Sequence, residues 1–238
     1  MRFVTNTTTR SRRRLVDKLR RLGVPVQPAE VFTPAVLAGR WLSSRGGGTY
    51  RLLGPDDLAE DLGPGHRPAD HPGRARWVVA AMHPAALRHD TLSAAMRDLR
   101  AGGGLVALHE NPTWLRPHGL DLGLGAYVRA LESAAGVQAT VIGKPAAAFF
   151  SLALASLPAA ARRAVWMVGD GLRGDIGGAQ AAGLRAALVL SGKTRPADLA
   201  ASPIEPDAVA ADLSAWVASL KEVPPGGDAA GGGEQQQR

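Results

Sequence analysis

The chain has 238 residues, 45% of them hydrophobic, a formal net charge of +7 and no cysteine. That is enough apolar content for one large domain or two small ones, and the lack of cysteine removes a disulfide framework, a thiolate nucleophile and a cysteine-based zinc site. No apolar run approaches the ~20 residues of a membrane helix, and no signal-peptide core follows the basic N-terminus, so a soluble, cytoplasmic protein with no membrane partner is expected.

In chain order, a short apolar run from Arg2 to Asn6 turns polar and basic from Asn6 to Arg14. Leu15, Val16, Leu19 and Leu22 then recur at helical spacing, with Gly23 as a stop. Val31 to Leu42 repeats the pattern, with Thr33 as N-cap and Pro34 in the first turn. Gly46 to Gly73 is rich in Gly, Pro and Asp and reads as irregular surface, in which Tyr50 to Leu53 suits a short strand and Asp56 to Leu62 a short helix. Val78 to Met82, Thr91 to Leu99 and Leu105 to Leu108 form one strand, helix, strand unit. Leu124 to Ala135 is helical, Ala139 to Ile142 extended and Phe149 to Leu157 helical. Ala164 to Val168 is a strand of the buried type, Ile176 to Ala182 a helix stopped by Gly183, and Ala186 to Leu190 a further strand. Strands alternating with helices predict an α/β fold with parallel sheets covered on both faces. The segment 223–238 has nothing apolar to bury and reads as a disordered tail.

Clustered cations attract phosphates, but Arg is scattered along this chain and only Arg10 to Arg14 are bunched. With two tyrosines and no interleaving of aromatic and basic residues, nucleic acid is not the expected partner.

Three stretches carry chemistry. In "VWMVGDGLRGDIGG" a strand ends at Gly169, Asp170 stands at its carboxyl end and Asp175 follows on a glycine-rich loop. Carboxyl ends of parallel strands are where α/β proteins place ligands, and two carboxylates there suit a hard cation such as Mg²⁺. The alternative is an Asx turn with Asp175 capping the next helix. In "VIGKP" a strand delivers Lys144, an ammonium placed either to hold a phosphoryl group or simply to sit in solvent. At the opening, Thr5 and Asn6 offer a hydroxyl and an amide at a strand end, or only a turn.

Together, "RFVTNTT", "VFTPA", "VIGKPAAAFF" and "MVGDGLRGDIGGAQAAGLRAALVLSGKTRPAD" resemble the haloacid dehalogenase (HAD) hydrolase superfamily, with the likeness running to about Leu220. The resemblance implies a Rossmann-like parallel-sheet core built from 1–34 and 141–222, with 35–140 inserted as a large α/β cap. It implies a Mg²⁺-dependent phosphatase acting through a phospho-aspartate on phosphomonoesters, phosphoamino acids or pyrophosphate. Thr5 and Lys144 would be catalytic, Thr5, Asn6 and Lys144 would bind the phosphoryl group, and Asp170 and Asp175 would hold the metal. The loop after the cap strand, "HENPTW", would help to select a phosphorylated small molecule or phosphoamino acid, with Asn111 as a contact, whereas His109 reads as a half-buried strand-end residue. A homodimer is one assembly open to the family.

Two departures stand out. Near relatives often carry a second acid after the Gly-Asp pair, where Gly171 stands here. The family's nucleophile lies in an Asp-x-Asp motif, and no two aspartates of this chain are two positions apart. The expectation is therefore that Met1 falls inside the fold of relatives, at about the second core strand, with an incomplete start as the first account, followed by a shorter variant and a pseudoenzyme. A non-catalytic, phosphate-binding interaction module is the competing function.

Overall fold

The computed structural model describes residues 1–221; the tail expected over 223–238 lies outside the described residues. The described residues divide into two compact units, Met1–Val165 with Ala181–Gly183, and Trp166–Gln180 with 184–221.

In the first unit, β1 (Phe3–Val4) pairs in parallel with β2 (Val31–Phe32). Between them runs α1 (Arg12–Arg21), capped by Ser11, whose Oγ accepts the Arg14 amide at 3.4 Å. Its apolar side, Leu15, Val16 and Leu19, packs with Val26 and Val31, which is why the helix lies back over the strand pair. α2 (Pro34–Ser44) starts where expected, with the buried Thr33 hydroxyl accepting the Val36 amide.

The rest of the unit comprises β3 (Gly48–Leu53), a 3₁₀ turn at Asp56–Leu58, α3 (Ala59–Leu62), β4 (His66–Pro68), β5 (Trp77–Ala80), α4 (His89–Arg100) and β6 (Gly104–Ala107). A hairpin of β7 (Thr113–Arg116) and β8 (Gly119–Leu122) precedes α5 (Leu124–Ala135), β9 (Thr140–Val141) and α6 (Ala147–Ala155). Five strands form one wholly parallel sheet in the order β4-β3-β5-β6-β9. Alternation along the strands divides the core in two. Tyr50, Val79 and Val106 face α2, α3 and α6 through Leu42, Leu58, Leu62 and Phe149. Leu53, Val78 and Leu105 face α4 and α5 through Leu99, Leu124, Val128 and Leu131. A parallel sheet is stable only when covered in this way.

The second unit runs β10 (Trp166–Gly169), a π-helical turn at Leu172–Gly177, α7 (Gly178–Ala181), β11 (Arg185–Val189), α8 (Pro196–Ala200), β12 (Ala208–Ala210) and α9 (Leu213–Lys221). β10, β11 and β12 form a parallel sheet in that order. Ile176 and Leu188 are fully buried, and Trp216 of α9 packs against Trp166 with ring centroids 4.8 Å apart and the rings tilted by 57°.

The α/β class with parallel sheets agrees with the sequence reading. The differences are local. The Gly46–Gly73 stretch is not irregular surface, because β3 is internal to the sheet and Leu58 and Leu62 are buried beneath α2. The helix expected from Ile176 is entered through the π-helical turn, and the β7–β8 hairpin was not anticipated. No helix among the described residues is long and apolar enough to cross a membrane.

Candidate active site

Thr5 leaves β1 by donating its amide to the Phe32 carbonyl at 3.1 Å, the last rung of the β1–β2 pair. The chain then turns on itself: the Thr7 amide donates to Thr5 Oγ1 at 3.1 Å and the Thr5 and Thr7 hydroxyls lie 2.8 Å apart. Two side chains and one amide of the 57–82 segment fix the rest of this loop. Thr8 is buried, its hydroxyl accepting the Met82 amide at the end of β5. Beyond it, the Ser11 and Arg12 amides donate to Asp57 at 2.9 Å and Asp61 at 2.7 Å. The open amides of the α1 N-terminus are thus met by carboxylates, the sign that a helix N-terminus favours.

Lys144 reaches the same place from the opposite end of the unit. The β6–β9 ladder continues past β9, with the Ile142 amide on the Ala107 carbonyl and the Gly143 amide on the Leu108 carbonyl. At Lys144 the pairing passes to a side chain. The Lys144 amide donates to Asn6 Oδ1 at 2.8 Å, and Asn6 Nδ2 donates back to the Lys144 carbonyl at 2.9 Å. The Lys144 ammonium donates to the Val4 carbonyl at 3.4 Å, one residue from Thr5. Gly143 is required for this approach, since a Cβ there would meet Asn6 Oδ1 at 2.7 Å and collide with the Leu108 carbonyl. Three residues selected from sequence, Thr5, Asn6 and Lys144, are therefore gathered at one point, with a hydroxyl pair and an ammonium at the carboxyl ends of β1 and β9.

The second unit carries Asp170 and Asp175. Asp170 follows β10; its carbonyl accepts the Thr194 amide and hydroxyl, and its Oδ2 accepts the Lys193 amide at 3.0 Å. Among the described residues no hydrogen bond reaches Asp170 Oδ1. Asp175 is buried and its Oδ2 accepts the amide of Gly171, four residues earlier, at 2.9 Å; this closes the loop but is not the Asx turn or helix cap of the alternative, which would use amides that follow Asp175. A Cβ on Gly169 would lie 2.6 Å from the Asp175 carboxyl carbon, so the glycine lets that carboxylate sit against the strand end. Two carboxylates on a loop after a parallel strand match the hard oxygen donors that Mg²⁺ takes, although no group of three or more His, Asp or Glu among the described residues is arranged around a metal position.

The loop after β6 is less committed. His109 is more deeply buried than a half-buried strand-end residue, and its Nδ1 accepts the Asn111 amide at 3.3 Å. The Asn111 carbonyl accepts the Gly125 amide, and its exposed side chain makes no hydrogen bond among the described residues. Sequence reading missed Thr7, Thr8, Asp57 and Asp61. The run "TNTTT" was the available signal for the first two.

A family model described as haloacid dehalogenase-like hydrolase matches residues 1–63, and one described as HAD-hydrolase-like matches residues 141–216. The chain is 38% identical over 198 residues to haloacid dehalogenase-like hydrolase domain-containing protein 2 of Bos taurus, covering 83% of this chain and 74% of that protein. It is 34% identical over 202 residues to phospholysine phosphohistidine inorganic pyrophosphate phosphatase of Rattus norvegicus, covering 83% and 72%. Among solved structures, glycerol phosphate phosphatase of Mycobacterium tuberculosis in complex with magnesium superposes with a TM-score of 0.79 at 32% identity, covering 90% of this chain and 66% of that one.

Proposed function

Because the chain belongs to the haloacid dehalogenase-like hydrolases, we propose that it carries the phosphoryl-binding and metal-binding parts of a Mg²⁺-dependent phosphatase. The observation that supports this most directly is the delivery of the Lys144 ammonium to the Val4 carbonyl, beside the Thr5–Thr7 hydroxyl pair. Phosphoryl transfer asks a protein chiefly to position the group and to neutralise its oxygens. Lys144 supplies the positive charge. The Thr5 hydroxyl, already in a short pair with Thr7, can donate to one phosphoryl oxygen while the Thr7 hydroxyl donates to Thr5 Oγ1.

Asp170 and Asp175 are the residues that would hold Mg²⁺, with Asp170 Oδ1 as the oxygen no described donor occupies. When bound, the ion would neutralise phosphoryl charge and orient the group for in-line attack. In the proposed reaction an aspartate carboxylate attacks phosphorus, the bond from phosphorus to the leaving oxygen breaks, and water then releases inorganic phosphate from the acyl phosphate. The chain contains no Asp-x-Asp to supply that nucleophile. That observation favours a second reading, a phosphate-binding module without turnover, for the 238 residues as they stand. The substrate class proposed is a phosphomonoester, phosphoamino acid or pyrophosphate, with 35–140 acting as the cap.

Both readings require phosphate binding, so titration calorimetry with inorganic phosphate in the presence of Mg²⁺ tests their common premise. Binding that falls by about tenfold or more in Lys144→Ala, as loss of a charge-assisted contact predicts, supports it. Identical binding by Lys144→Ala and the parent chain would refute it.

A further inference from the structure

Asn6 was selected as a residue that touches the phosphoryl group, but both ends of its carboxamide are engaged by the Lys144 main chain. Oδ1 accepts the Lys144 amide at 2.8 Å and Nδ2 donates to the Lys144 carbonyl at 2.9 Å. One side chain thereby reproduces the reciprocal pair of bonds that two residues exchange in a sheet. We infer that Asn6 is a positioning residue: its side chain clamps the main chain of Lys144 so that the ammonium is held at the end of β1, and it is not itself a phosphoryl ligand.

Three further observations carry the inference. The clamp is placed where the regular ladder ends, just after the Gly143 amide bonds the Leu108 carbonyl, so without it Lys144 would be the first residue of the segment with no cross-chain main-chain bond from the ladder. The missing side chain at Gly143 is what admits the Asn6 oxygen, which a Cβ would meet at 2.7 Å. The ammonium itself returns to Val4, two residues before Asn6, so main chain and side chain of Lys144 are both tied to the same short stretch. Only asparagine among residues of this length offers one acceptor and one donor in the required order. Aspartate would set a carboxylate against the Lys144 carbonyl, and serine or threonine would reach one of the two groups.

The inference rests on the phosphatase reading for its purpose, but its test does not. The chain has four lysines, Lys18, Lys144, Lys193 and Lys221, so reductive methylation with ¹³C-formaldehyde gives a short list of NMR signals, with Lys144 assigned by its loss in Lys144→Ala. In Asn6→Ala, checked as folded by circular dichroism, the Lys144 signal should move while those of Lys18 and Lys193 stay. Titrated with inorganic phosphate, the Lys144 signal of the variant should need about tenfold more ligand for the same shift, the order expected from two lost hydrogen bonds. Asn6→Asp, nearly isosteric, should move the Lys144 signal as well and serves if the alanine variant does not fold. A Lys144 signal unchanged in both folded variants overturns the clamp, and an unchanged phosphate response in a variant whose Lys144 signal has moved overturns its bearing on phosphate. If the parent chain's Lys144 ignores phosphate while Asn6→Ala still shifts its signal, the clamp stands and the phosphatase reading is what fails.

Discussion

Asp61 meets an electrostatic conflict that its neighbours do not resolve. Its Oδ2 accepts the Arg12 amide at the start of α1, which favours the ionised form, yet burial outweighs this and pushes the carboxyl up to about 6 from an ordinary value near 3.8. The neighbouring acids Glu60 and Asp57 add to the rise. A carboxyl whose folded pKa is raised binds its proton more tightly when folded. Between roughly pH 4 and 6 the unfolded chain therefore holds fewer protons at this site, and stability falls as pH rises through that window. Asp61→Asn resembles the protonated form and is free of this dependence. The expected outcome is that the melting temperature of the asparagine variant, relative to the parent, climbs from pH 4 to 6 and is level above; a difference that is flat across the window would contradict it. The same contacts explain what became of the basic cluster. Arg13 pairs with Glu60 and Arg14 with Asp57, so part of the charge that stood out in sequence has acidic partners some forty residues away. Exposed pairs of this kind contribute little to stability; they matter here because they flank the amides of Ser11 and Arg12, which anchor the Thr5 loop.

Elements with a clean period were legible. α1, α2, α4 and α5 lie within a few residues of their predicted spans, and Thr33 and Pro34 start α2 as their chemistry dictates. What the sequence hid was burial carried by few residues. In the stretch from Gly46 to Gly73, glycine, proline and aspartate dominate the composition, and the apolar positions that fix its place, Tyr50, Leu53, Leu58 and Leu62, are too sparse to form a period. The partners that bury them, on α2, β5 and β6, are remote in sequence. The π-helical turn was hidden for a different reason: the Asp175 and Ile176 amides both reach back to the Gly171 carbonyl, a geometry that glycine-rich sequence permits without announcing. If the 56–62 segment is core and not surface, Leu58→Ala should cost about 2–5 kcal/mol, the range for deleting a fully buried leucine side chain. Urea unfolding followed by tryptophan fluorescence measures this. A loss under about 0.5 kcal/mol, typical of surface positions, would return the segment to the surface.

At the scale of the whole chain, Thr5, Lys144 and Asp170 stood out in sequence as candidates because each is the first polar side chain after a strand, and strand ends in parallel sheets are where α/β proteins place ligands. Their partners were not legible, since the Asn6–Lys144 clamp spans most of the first unit. The residues proposed to bind and neutralise a phosphoryl group do not include the family's nucleophile, since the sequence has no Asp-x-Asp. Among the described residues β1 pairs only with β2, and β10 is an edge strand paired only with β11, so each offers a row of main-chain groups to a further parallel strand. The expected outcome is that the purified 238-residue chain does not turn over p-nitrophenyl phosphate with Mg²⁺, whereas a chain carrying, ahead of Met1, an apolar strand that ends in Asp-x-Asp does. In that extended chain, Asp170→Asn and Lys144→Ala should each lower kcat by about a hundredfold or more, the scale of losing a group that meets developing charge, while Arg12→Ala should change it little because the Asp61 contact uses the Arg12 main chain. Release of p-nitrophenol against time measures all five. Turnover by the unextended chain that disappears in Asp170→Asn would show that it already holds a nucleophile, and an extended chain that folds, binds phosphate and remains inert would assign these residues to a binding module.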